Sequence, residues 1–272
     1  MISQDLAAPL HFRCALVTGA SSGLGLEFAK QLTSYCDTLV LVARRGDRLD
    51  AASAALKAEA SALKVEVITA DLASRQGRQT LLQELSARQL SPDLLVNNAG
   101  MGDYGEFLTS DWAKTETMIR LNMEALTHLT HVLLPDITGQ QGAIINVSSL
   151  ASTLPIPDFA VYAATKAYVS SFSEALRIEL KEKDVSVLAV CPGPVKTEFG
   201  KVAMRTSASS LPVQGAFYVT KEQVVSDSLS ALKKNRARVY PGFKVAAAAA
   251  LIGSLPFFMV RGLMSLRARR SS

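Results

Sequence analysis

Short apolar segments alternate with longer helix-like segments along most of this chain, and no other feature limits the possible folds as much. Seven runs rich in β-branched residues are predicted as strands, at 14–19, 38–43, 64–70, 93–99, 142–149, 185–193 and 237–242. Most are apolar at successive positions, which is typical of strands covered by helices on both faces. The alternation predicts βαβ units with right-handed crossovers, and therefore an α/β fold built on a parallel sheet.

No linker, repeat or low-complexity tract divides the chain. We therefore predict one domain over residues 1–242, followed by a C-terminal extension at 243–272. Within the domain, a less regular insert is expected at about 196–214.

The first strand–helix unit contains a glycine-rich turn. The segment TGASSGLG, residues 18–25, has glycine at positions 19, 23 and 25. Backbone N–H groups at the start of a helix, together with the helix dipole, favour a bound phosphate. We expect Gly19 to allow the tight turn, Gly23 to let a pyrophosphate approach the backbone and Gly25 to let the helix pack closely on the sheet. The spacing differs from the usual G-x-G-x-x-G, and an ordinary strand-to-helix turn is the alternative.

A second motif is YAATK, in which Tyr162 and Lys166 are four residues apart in a long predicted helix. Residues at that spacing share one helix face. We expect the ammonium to favour the phenolate and to lower the phenol pKa from about 10, so that the hydroxyl exchanges a proton near neutral pH. Ser148 and Ser149 end a predicted strand shortly before, at the sheet edge where ligands bind. The alternatives are a chance pair on a solvated helix face and serines that only cap a turn.

Six motifs together resemble the short-chain dehydrogenase/reductase family in their order and spacing. They are TGASSGLG, NNAG at 97–100, RLNMEAL around Asn122, NVSS, YAATK and CPGPVKTEF, and the resemblance runs from about Phe12 to Tyr240. It implies a Rossmann-type doubly wound parallel sheet of about seven strands, with helices on both faces. It also implies a nicotinamide cofactor and hydride transfer between a carbonyl and an alcohol. Thr165 is a departure, because serine is commoner there in the family.

The resemblance also implies roles for individual residues. Tyr162 looks like the acid or base that exchanges a proton with the substrate oxygen, and Lys166 like the lysine that lowers the tyrosine pKa and binds the nicotinamide ribose. Ser149 resembles the serine that orients the carbonyl. Asn122 resembles the asparagine that holds a water in a proton path, although an asparagine bonded to backbone inside a helix is the alternative. Besides Tyr162 and Lys166, the predicted cofactor-contacting residues are Gly19, Ser21, Ser22, Gly23, Leu24, Gly25, Arg44, Asp71, Leu72, Asn98, Ala99, Gly100, Pro192, Gly193, Val195 and Thr197. No metal site is predicted.

The residues after the second predicted strand favour NADP(H) over NAD(H). NAD-binding enzymes place an acidic residue there to bond the ribose 2′-hydroxyl, and it would repel a 2′-phosphate. In this chain Arg44 and Arg45 follow the strand, and no carboxylate occurs before Asp47. A guanidinium pairs with phosphate through two parallel hydrogen bonds, so Arg44, directly after the strand, is our predicted 2′-phosphate ligand. The alternative, a merely solvated loop, applies above all to Arg45.

The predicted substrate is a small hydrophobic ketone or secondary alcohol. The insert that would cover the pocket offers few charges beyond Lys201 and Arg205. The motifs are also similar to those of lipid- and steroid-directed reductases, which is an analogy between families. The alternative function is a non-catalytic protein that senses NADP(H), although such a protein would have no reason to retain all four predicted catalytic residues. We also expect a homo-oligomer.

The C-terminal tail combines an apolar run with basic residues. Residues 245–260 include no charged side chain. As one helix they would rise about 24 Å, which is less than the ~30 Å hydrocarbon core of a bilayer. Gly253 and Pro256 predict a break near Ser254–Leu255, and therefore two short helices. These helices could pack on the core or on a partner subunit, or lie in the interface of an anionic membrane.

Charge and cysteine usage limit the classes of protein. The formal net charge is +5, but much of the excess lies at 261–270, so the rest is close to neutral and nucleic-acid binding has little support. Cys14, Cys36 and Cys191 are predicted as buried, reduced thiols of a cytoplasmic-type compartment. The N-terminal residues lack the pattern of a secretory signal. We therefore expect a cytoplasmic protein, with peripheral membrane contact through the tail as the open option.

Overall fold

A computed structural model describes residues 10–205 and 217–271, and it confirms the parallel sheet. The strands are β1 Phe12–Thr18, β2 Cys36–Ala43, β3 Lys64–Thr69, β4 Leu94–Asn97, β5 Ala143–Val147, β6 Ser186–Val190 and β7 Arg238–Val239. They pair in parallel in the order β3-β2-β1-β4-β5-β6-β7. All seven predicted strands are confirmed. The strand order reverses direction between β1 and β4, which is where doubly wound sheets open a crevice for ligands.

Helices join the strands and continue beyond the last one. Within the described residues they are α1 Gly23–Leu32, α2 Gly46–Glu59, α3 Arg75–Ala87, α4 Trp112–Ile119, α5 Leu126–Gly139, α6 Ala160–Glu179, α7 Glu198–Ala203, α8 Lys221–Lys233, α9 Phe243–Ser254 and α10 Phe257–Ser271. A π-helical segment, Arg120–Ala125, links α4 to α5. A short 3₁₀ turn, Leu150–Thr153, follows β5.

Hydrophobic cores fill both sides of the sheet. Val17 of β1 and Leu41 of β2 pack on one side with residues of α1, α2 and α8. Their chain neighbours Leu16 and Val42 pack on the other side with residues of α3, α5 and α6. Successive strand residues are thus both buried, because side chains alternate between two covered faces. This arrangement explains the continuous apolar runs of the sequence.

The three cysteines lie in these buried regions. All three are free thiols with little or no solvent exposure. Burial raises the pKa of Cys14 and that of Cys36 to about 12. The prediction of buried, reduced thiols is confirmed, and they are protonated at neutral pH.

The tail forms the two short helices that the sequence predicts. α9 ends at Ser254 and α10 begins at Phe257, with an angle of 116° between them. Among the described helices, none is by itself long and apolar enough to cross a membrane. Only α9 and α10 taken together, as a bent pair, reach the length and apolar composition of a membrane span. Val245 and Ala249 of α9 are buried against the domain, whereas Phe243 and Leu251 on its other side are exposed.

The predicted insert is only partly described. Its first residues form α7, and residues 206–216 lie outside the described ranges.

Candidate active site

The glycine-rich turn brings α1 unusually close to the end of β1. Gly19 and Gly23 have φ of +69° and +59°, a backbone conformation that glycine adopts at little cost. A Cβ on Gly25 would lie 2.2 Å from the Gly19 carbonyl oxygen, which no side chain tolerates. The close approach expected of Gly25 is therefore present. It leaves the first turn of α1, with its outward N–H groups, directly above the carboxyl end of β1.

Side chains at the ends of β1 and β4 hold this turn in place. The amide nitrogen of Asn98 donates to the Thr18 carbonyl at 2.8 Å, and the Thr18 hydroxyl accepts from the backbone N–H groups of Asn98 and Ala99, both at 3.0 Å. One step deeper, Asn97 donates to Thr130 and to Asn146 at 3.0 and 2.9 Å. The NNAG motif thus fastens adjacent strands at the edge where the glycine turn begins.

The two serines after β5 have different surroundings. The Ser148 hydroxyl is buried and donates to the Lys166 carbonyl at 2.8 Å, so it fastens the strand to α6. Ser149 is partly exposed, and its hydroxyl lies close enough to the Tyr162 phenol to lower the pKa of that group. Its oxygen also accepts from the Ala151 N–H at 3.1 Å, so it caps the 3₁₀ turn as well. Of the two hydroxyls, the one predicted to face the substrate is the one beside the phenol.

Tyr162 and Lys166 are both buried on α6. Lys166 Nζ donates to the Val147 carbonyl at 2.9 Å and lies 5.8 Å from the centroid of the Tyr162 ring. Burial raises the pKa of Tyr162 to about 12, with the nearby Ser149 hydroxyl acting in the opposite direction, and it lowers the pKa of Lys166 to about 8. The expected lowering of the tyrosine pKa is therefore wrong for this arrangement. Desolvation of the phenolate is the largest cause of the raised pKa, and the charge of Lys166 is directed at a strand carbonyl instead of the phenol.

Asn122 lies on the π-helical segment and faces the same space. Its amide exchanges two hydrogen bonds with the Met101 backbone, both 2.9 Å long, and donates to Thr165 at 3.0 Å. Its backbone partners thus belong to the loop after β4 and not to its own helix. A Cβ on Gly100 would lie 3.2 Å from Asn122 Oδ1 and 3.4 Å from Lys166 Nζ, so this glycine sits between the two side chains.

The remaining predicted cofactor segments line the same edge of the sheet. The Pro192 carbonyl accepts from the Leu150 N–H at 2.8 Å, which joins the loop after β6 to the one after β5. Thr197 is the N-cap residue that precedes α7, and its side chain would lie 3.5 Å from a Cβ on Gly23. On the other side of the turn Leu72 is buried and Asp71 is exposed. These segments, with Gly193 and Val195 between Pro192 and Thr197, follow the ends of β3 and β6.

The two arginines after β2 have different positions. Arg44 is exposed at the end of the strand. Arg45 instead reaches back to the glycine turn and donates to the hydroxyls of Ser21 and Ser22 at 3.1 and 2.9 Å. It also pairs with Glu198 at 3.1 Å. The sequence does not indicate this contact, because its spacing favours Arg44, which directly follows the strand, as the phosphate ligand.

Aromatic residues surround the Tyr162 ring. Phe159 stacks on it with ring centroids 4.2 Å apart, and Phe199 of α7 lies 5.5 Å from it. Tyr104 meets Phe159 edge to face at 5.6 Å. None of the three was singled out from the sequence, although Phe159 directly precedes the YAATK helix and could have been suspected from its position.

An ion-pair cluster around the buried Asp103 lies next to these aromatic residues, which we call the aromatic wall (Tyr104, Phe159 and Phe199). Asp103 pairs with Lys114 at 2.8 Å and with Arg205 at 2.5 Å, and these cations hold the pKa of its carboxyl below the usual range despite burial. Arg205 also donates to the Glu106 carbonyl and to the Thr109 hydroxyl. The charge of Arg205, one of the few expected in the insert, is therefore neutralised.

A second buried arginine supports the loop after β3. Arg78 donates to the Leu72 carbonyl at 3.0 Å and pairs with Glu124 of the π-helical segment. It thereby connects the predicted adenine side of the site to the segment that carries Asn122. The sequence contains no signal for it, because an arginine in a helix is ordinarily a surface residue.

The geometry agrees with comparisons to known proteins. A family model described as short chain dehydrogenase matches residues 13–207. The chain belongs to the short-chain dehydrogenase/reductase family. It is 32% identical to the human very-long-chain 3-oxoacyl-CoA reductase over 197 residues, which are 71% of this chain and 62% of that protein. The alignment therefore spans less than two thirds of that relative's length.

Solved structures of the family agree over almost the whole chain. A short-chain dehydrogenase from Sphingobium yanoikuyae in complex with NADPH is 32% identical, with a TM-score of 0.76 over 93% of this chain and 95% of that one. A bulky-bulky ketone specific alcohol dehydrogenase from Comamonas testosteroni is 28% identical, with a TM-score of 0.73 over 93% and 94%.

The residues present fit the nicotinamide cofactor that this oxidoreductase family binds. The cradle of Gly19, Gly23 and Gly25 is of the kind that accepts a pyrophosphate, and Gly100 keeps side-chain bulk away from Asn122 and Lys166. Asn98 and Thr18 keep the two halves of the cradle in register.

Replacing Gly25 tests whether the close approach is required. We expect Gly25→Ala to lower both stability and dinucleotide affinity, because the methyl would overlap the Gly19 carbonyl. Gly139→Ala is the matched control, since nothing lies within 4 Å of a Cβ there. We expect the control to be neutral or stabilising by up to about 1 kcal/mol. Urea unfolding and fluorescence titration of the cofactor measure both effects, and a Gly25→Ala protein that behaves like the control would contradict the assignment.

Proposed function

We propose that this chain is an NADP(H)-dependent reductase of a hydrophobic ketone, with Tyr162 as the proton donor. The observation that carries the proposal is the buried Tyr162, whose phenol lies beside Ser149 and which shares a helix face with Lys166. A bound nicotinamide supplies the hydride. A phenol whose pKa is about 12 keeps its proton at neutral pH, so it is ready to donate that proton to the developing alkoxide.

The neighbouring residues have distinct proposed roles. Ser149 orients the substrate carbonyl towards the phenol. Lys166 holds the nicotinamide ribose, and its ammonium stabilises the phenolate that remains after proton transfer. Asn122 holds a water that returns a proton to the site. Its side chain keeps the Met101 loop in place through two hydrogen bonds, which supports a positioning function alongside the proton path.

The aromatic wall supports a hydrophobic substrate. Phe159 and Phe199 cover the phenol, and Met101 and Ile156 pack against the same cluster. Arg205 does not present a free charge, because Asp103 neutralises it. An apolar pocket with few polar groups selects by shape and burial, and the ketone specificity named for the Comamonas relative is of this type.

The arginines after β2 support NADP(H) as the cofactor. Arg45 lies on the hydroxyls of Ser21 and Ser22, beside the predicted pyrophosphate turn, while Arg44 stays exposed at the strand end. A guanidinium in either place would pair with a 2′-phosphate. The Sphingobium relative was solved with NADPH, which agrees with this choice.

Removing the phenol hydroxyl tests the proton-donor role. We expect Tyr162→Phe to lower turnover about 10²- to 10⁴-fold, because general acid catalysis contributes about that much. The stacking on Phe159 and the cofactor affinity should remain. Tyr168→Phe is the matched control, since Tyr168 lies on the same helix and bonds only Thr127 among the described residues. Near-full activity of Tyr162→Phe on a hydrophobic ketone would contradict the proton-donor assignment. Cofactor binding without any turnover in the unaltered protein would instead favour the non-catalytic NADP(H) sensor.

Cofactor choice is tested by titrating the protein with NADPH and with NADH. We expect clearly tighter binding of NADPH, because its 2′-phosphate gains charge-assisted hydrogen bonds to the arginines. Intrinsic cofactor fluorescence reports the binding directly. The preference should shrink as salt rises, since the pairing groups are exposed. Equal affinities, or tighter NADH binding, would contradict the proposal.

We also propose that this protein is a cytoplasmic homo-oligomer and that its tail contacts an anionic membrane. Large apolar side chains are exposed on α9 and α10, namely Phe243, Leu251, Phe257, Phe258, Met259, Leu263 and Leu266. Residues 257, 258 and 259 are successive, so they project about 100° apart around the helix. The fluid acyl chains of a membrane can contact apolar side chains that point in several directions, whereas a single protein groove contacts one side of a helix. All charged residues after position 242 are basic, which suits anionic headgroups and disfavours pairing with a second copy.

Flotation with vesicles tests the membrane contact. The full chain should float with phosphatidylserine-containing vesicles at low salt, and less with neutral ones. Phe257→Ser combined with Phe258→Ser should abolish flotation. Phe107→Ser combined with Leu108→Ser removes two exposed apolar residues elsewhere, of which Leu108 is more exposed than either tail phenylalanine, and should leave flotation unchanged. If the full chain ignores anionic vesicles, the tail packs only on protein and the membrane idea is wrong.

A further inference from the structure

Glu198 forms ion pairs with two arginines that follow β2, near the glycine-rich turn. Its carboxylate pairs with Arg45 at 3.1 Å and with Arg48 at 2.8 Å. Arg45 is the same side chain that reaches Ser21 and Ser22 of the glycine turn. The carboxylate is therefore already paired with guanidinium groups on the predicted adenosine side of the site.

Glu198 is also the first residue of α7, the short helix that carries Phe199 to the Tyr162 ring. Its ion pairs fasten the substrate-side wall to the residues that follow β2. The contact joins parts of the chain that are 150 and 153 residues apart, so the primary sequence gives no hint of it.

The ion pairs near the two ends of α7 differ in how deeply they are buried. At the far end, Arg205 pairs with Asp103, whose side chain is only 4% exposed, and the Ala203 carbonyl accepts from the Tyr104 N–H at 2.8 Å. At the near end, the Glu198 side chain is 50% exposed and its partners are 42% and 43% exposed. Exposed ion pairs contribute little to stability, whereas a buried one is costly to break by removing a partner. The near end is therefore the one that can release while Arg205 acts as the pivot.

We infer that Glu198 sets cofactor selectivity as an internal competitor for the 2′-phosphate, and that displacing it from Arg45 frees the near end of α7. The inference rests on the proposed function, because it requires that a 2′-phosphate binds at Arg45. A phosphate dianion forms stronger charge-assisted hydrogen bonds to a guanidinium than a single carboxylate does, so it can take this partner. The carboxylate that is left beside it opposes binding by like-charge repulsion. A cofactor without the 2′-phosphate leaves the pairing intact.

The binding experiment compares Glu198→Gln with Asp47→Asn. Glu198→Gln keeps the side-chain shape and removes the charge, so NADPH should bind about three- to tenfold more tightly while NADH changes by less than about twofold. Asp47 is an exposed acid of the same segment as both arginines, and its neutralisation controls for a general loss of negative charge. If Glu198→Gln leaves NADPH affinity unchanged or weakens it, or if Asp47→Asn tightens it equally, the competitor role is wrong.

A second measurement follows the helix itself. Hydrogen–deuterium exchange of the peptide that covers α7 is recorded with 2′,5′-ADP, with 5′-AMP and without ligand. In the unaltered protein 2′,5′-ADP should speed exchange of this peptide and 5′-AMP should not. In Glu198→Gln exchange should be fast in all three cases. Slower exchange with 2′,5′-ADP, or unaltered exchange in Glu198→Gln, would overturn the release of α7.

These two measurements separate the inference from the proposed cofactor choice. If the unaltered protein binds NADH as tightly as NADPH, the proposed selectivity fails. Tighter NADPH binding and fast α7 exchange in Glu198→Gln would nevertheless support the competitor, which would then be strong enough to cancel the preference. If the protein prefers NADPH and Glu198→Gln behaves like Asp47→Asn, the cofactor choice stands and the inference falls.

Discussion

The buried ammonium of Lys166 determines the arrangement of the candidate site. A lysine with 5% exposure keeps its charge only if a strong acceptor faces it, and the Val147 carbonyl at the end of β5 is that acceptor. The bond fixes α6 against the sheet edge, so Tyr162, one helical turn earlier, points to the same edge. A Cβ on Gly100 would lie 3.2 Å from Asn122 Oδ1 and 3.4 Å from Nζ, so glycine at this place leaves the space beside both side chains open. The Ser148 hydroxyl strengthens the same junction through the Lys166 carbonyl.

This constraint explains why two serines in sequence have separate functions. Successive residues of an extended segment point to opposite sides. Ser148 therefore faces α6 and is buried, and Ser149 faces the phenol. The motif NVSS thus supplies one hydroxyl that joins strand to helix and one that faces the substrate side. A substitution at Ser148 would be expected to act through the position of α6 and not through the reacting atoms.

The parts of the fold that depend on local pattern could be predicted from the sequence. Seven strands, the glycine turn and the break between Ser254 and Phe257 all follow from runs of β-branched residues and from glycine and proline positions. Contacts between distant segments could not be predicted. Arg45 and Glu198 are far apart in the chain, and nothing in either segment indicates that they meet. The pKa of Tyr162 was predicted in the wrong direction because sequence spacing gives the lysine as a neighbour and does not give the burial that opposes it.

The tail connects the candidate site to a set of exposed apolar side chains on α9 and α10. Val245 is fully buried and its side chain comes within 2.8 Å of where a Cβ on Gly193 would lie, in the loop that follows β6. α9 also packs against the 3₁₀ turn after Ser149. One side of α9 thus contacts two loops of the site, while Phe243 on its other side is 87% exposed. Because a helix moves as a unit, a membrane or protein that binds the outer side of α9 would also change the position of those two loops. A side chain at position 193 would force Val245 to shift and would therefore disturb the packing of α9 on this loop.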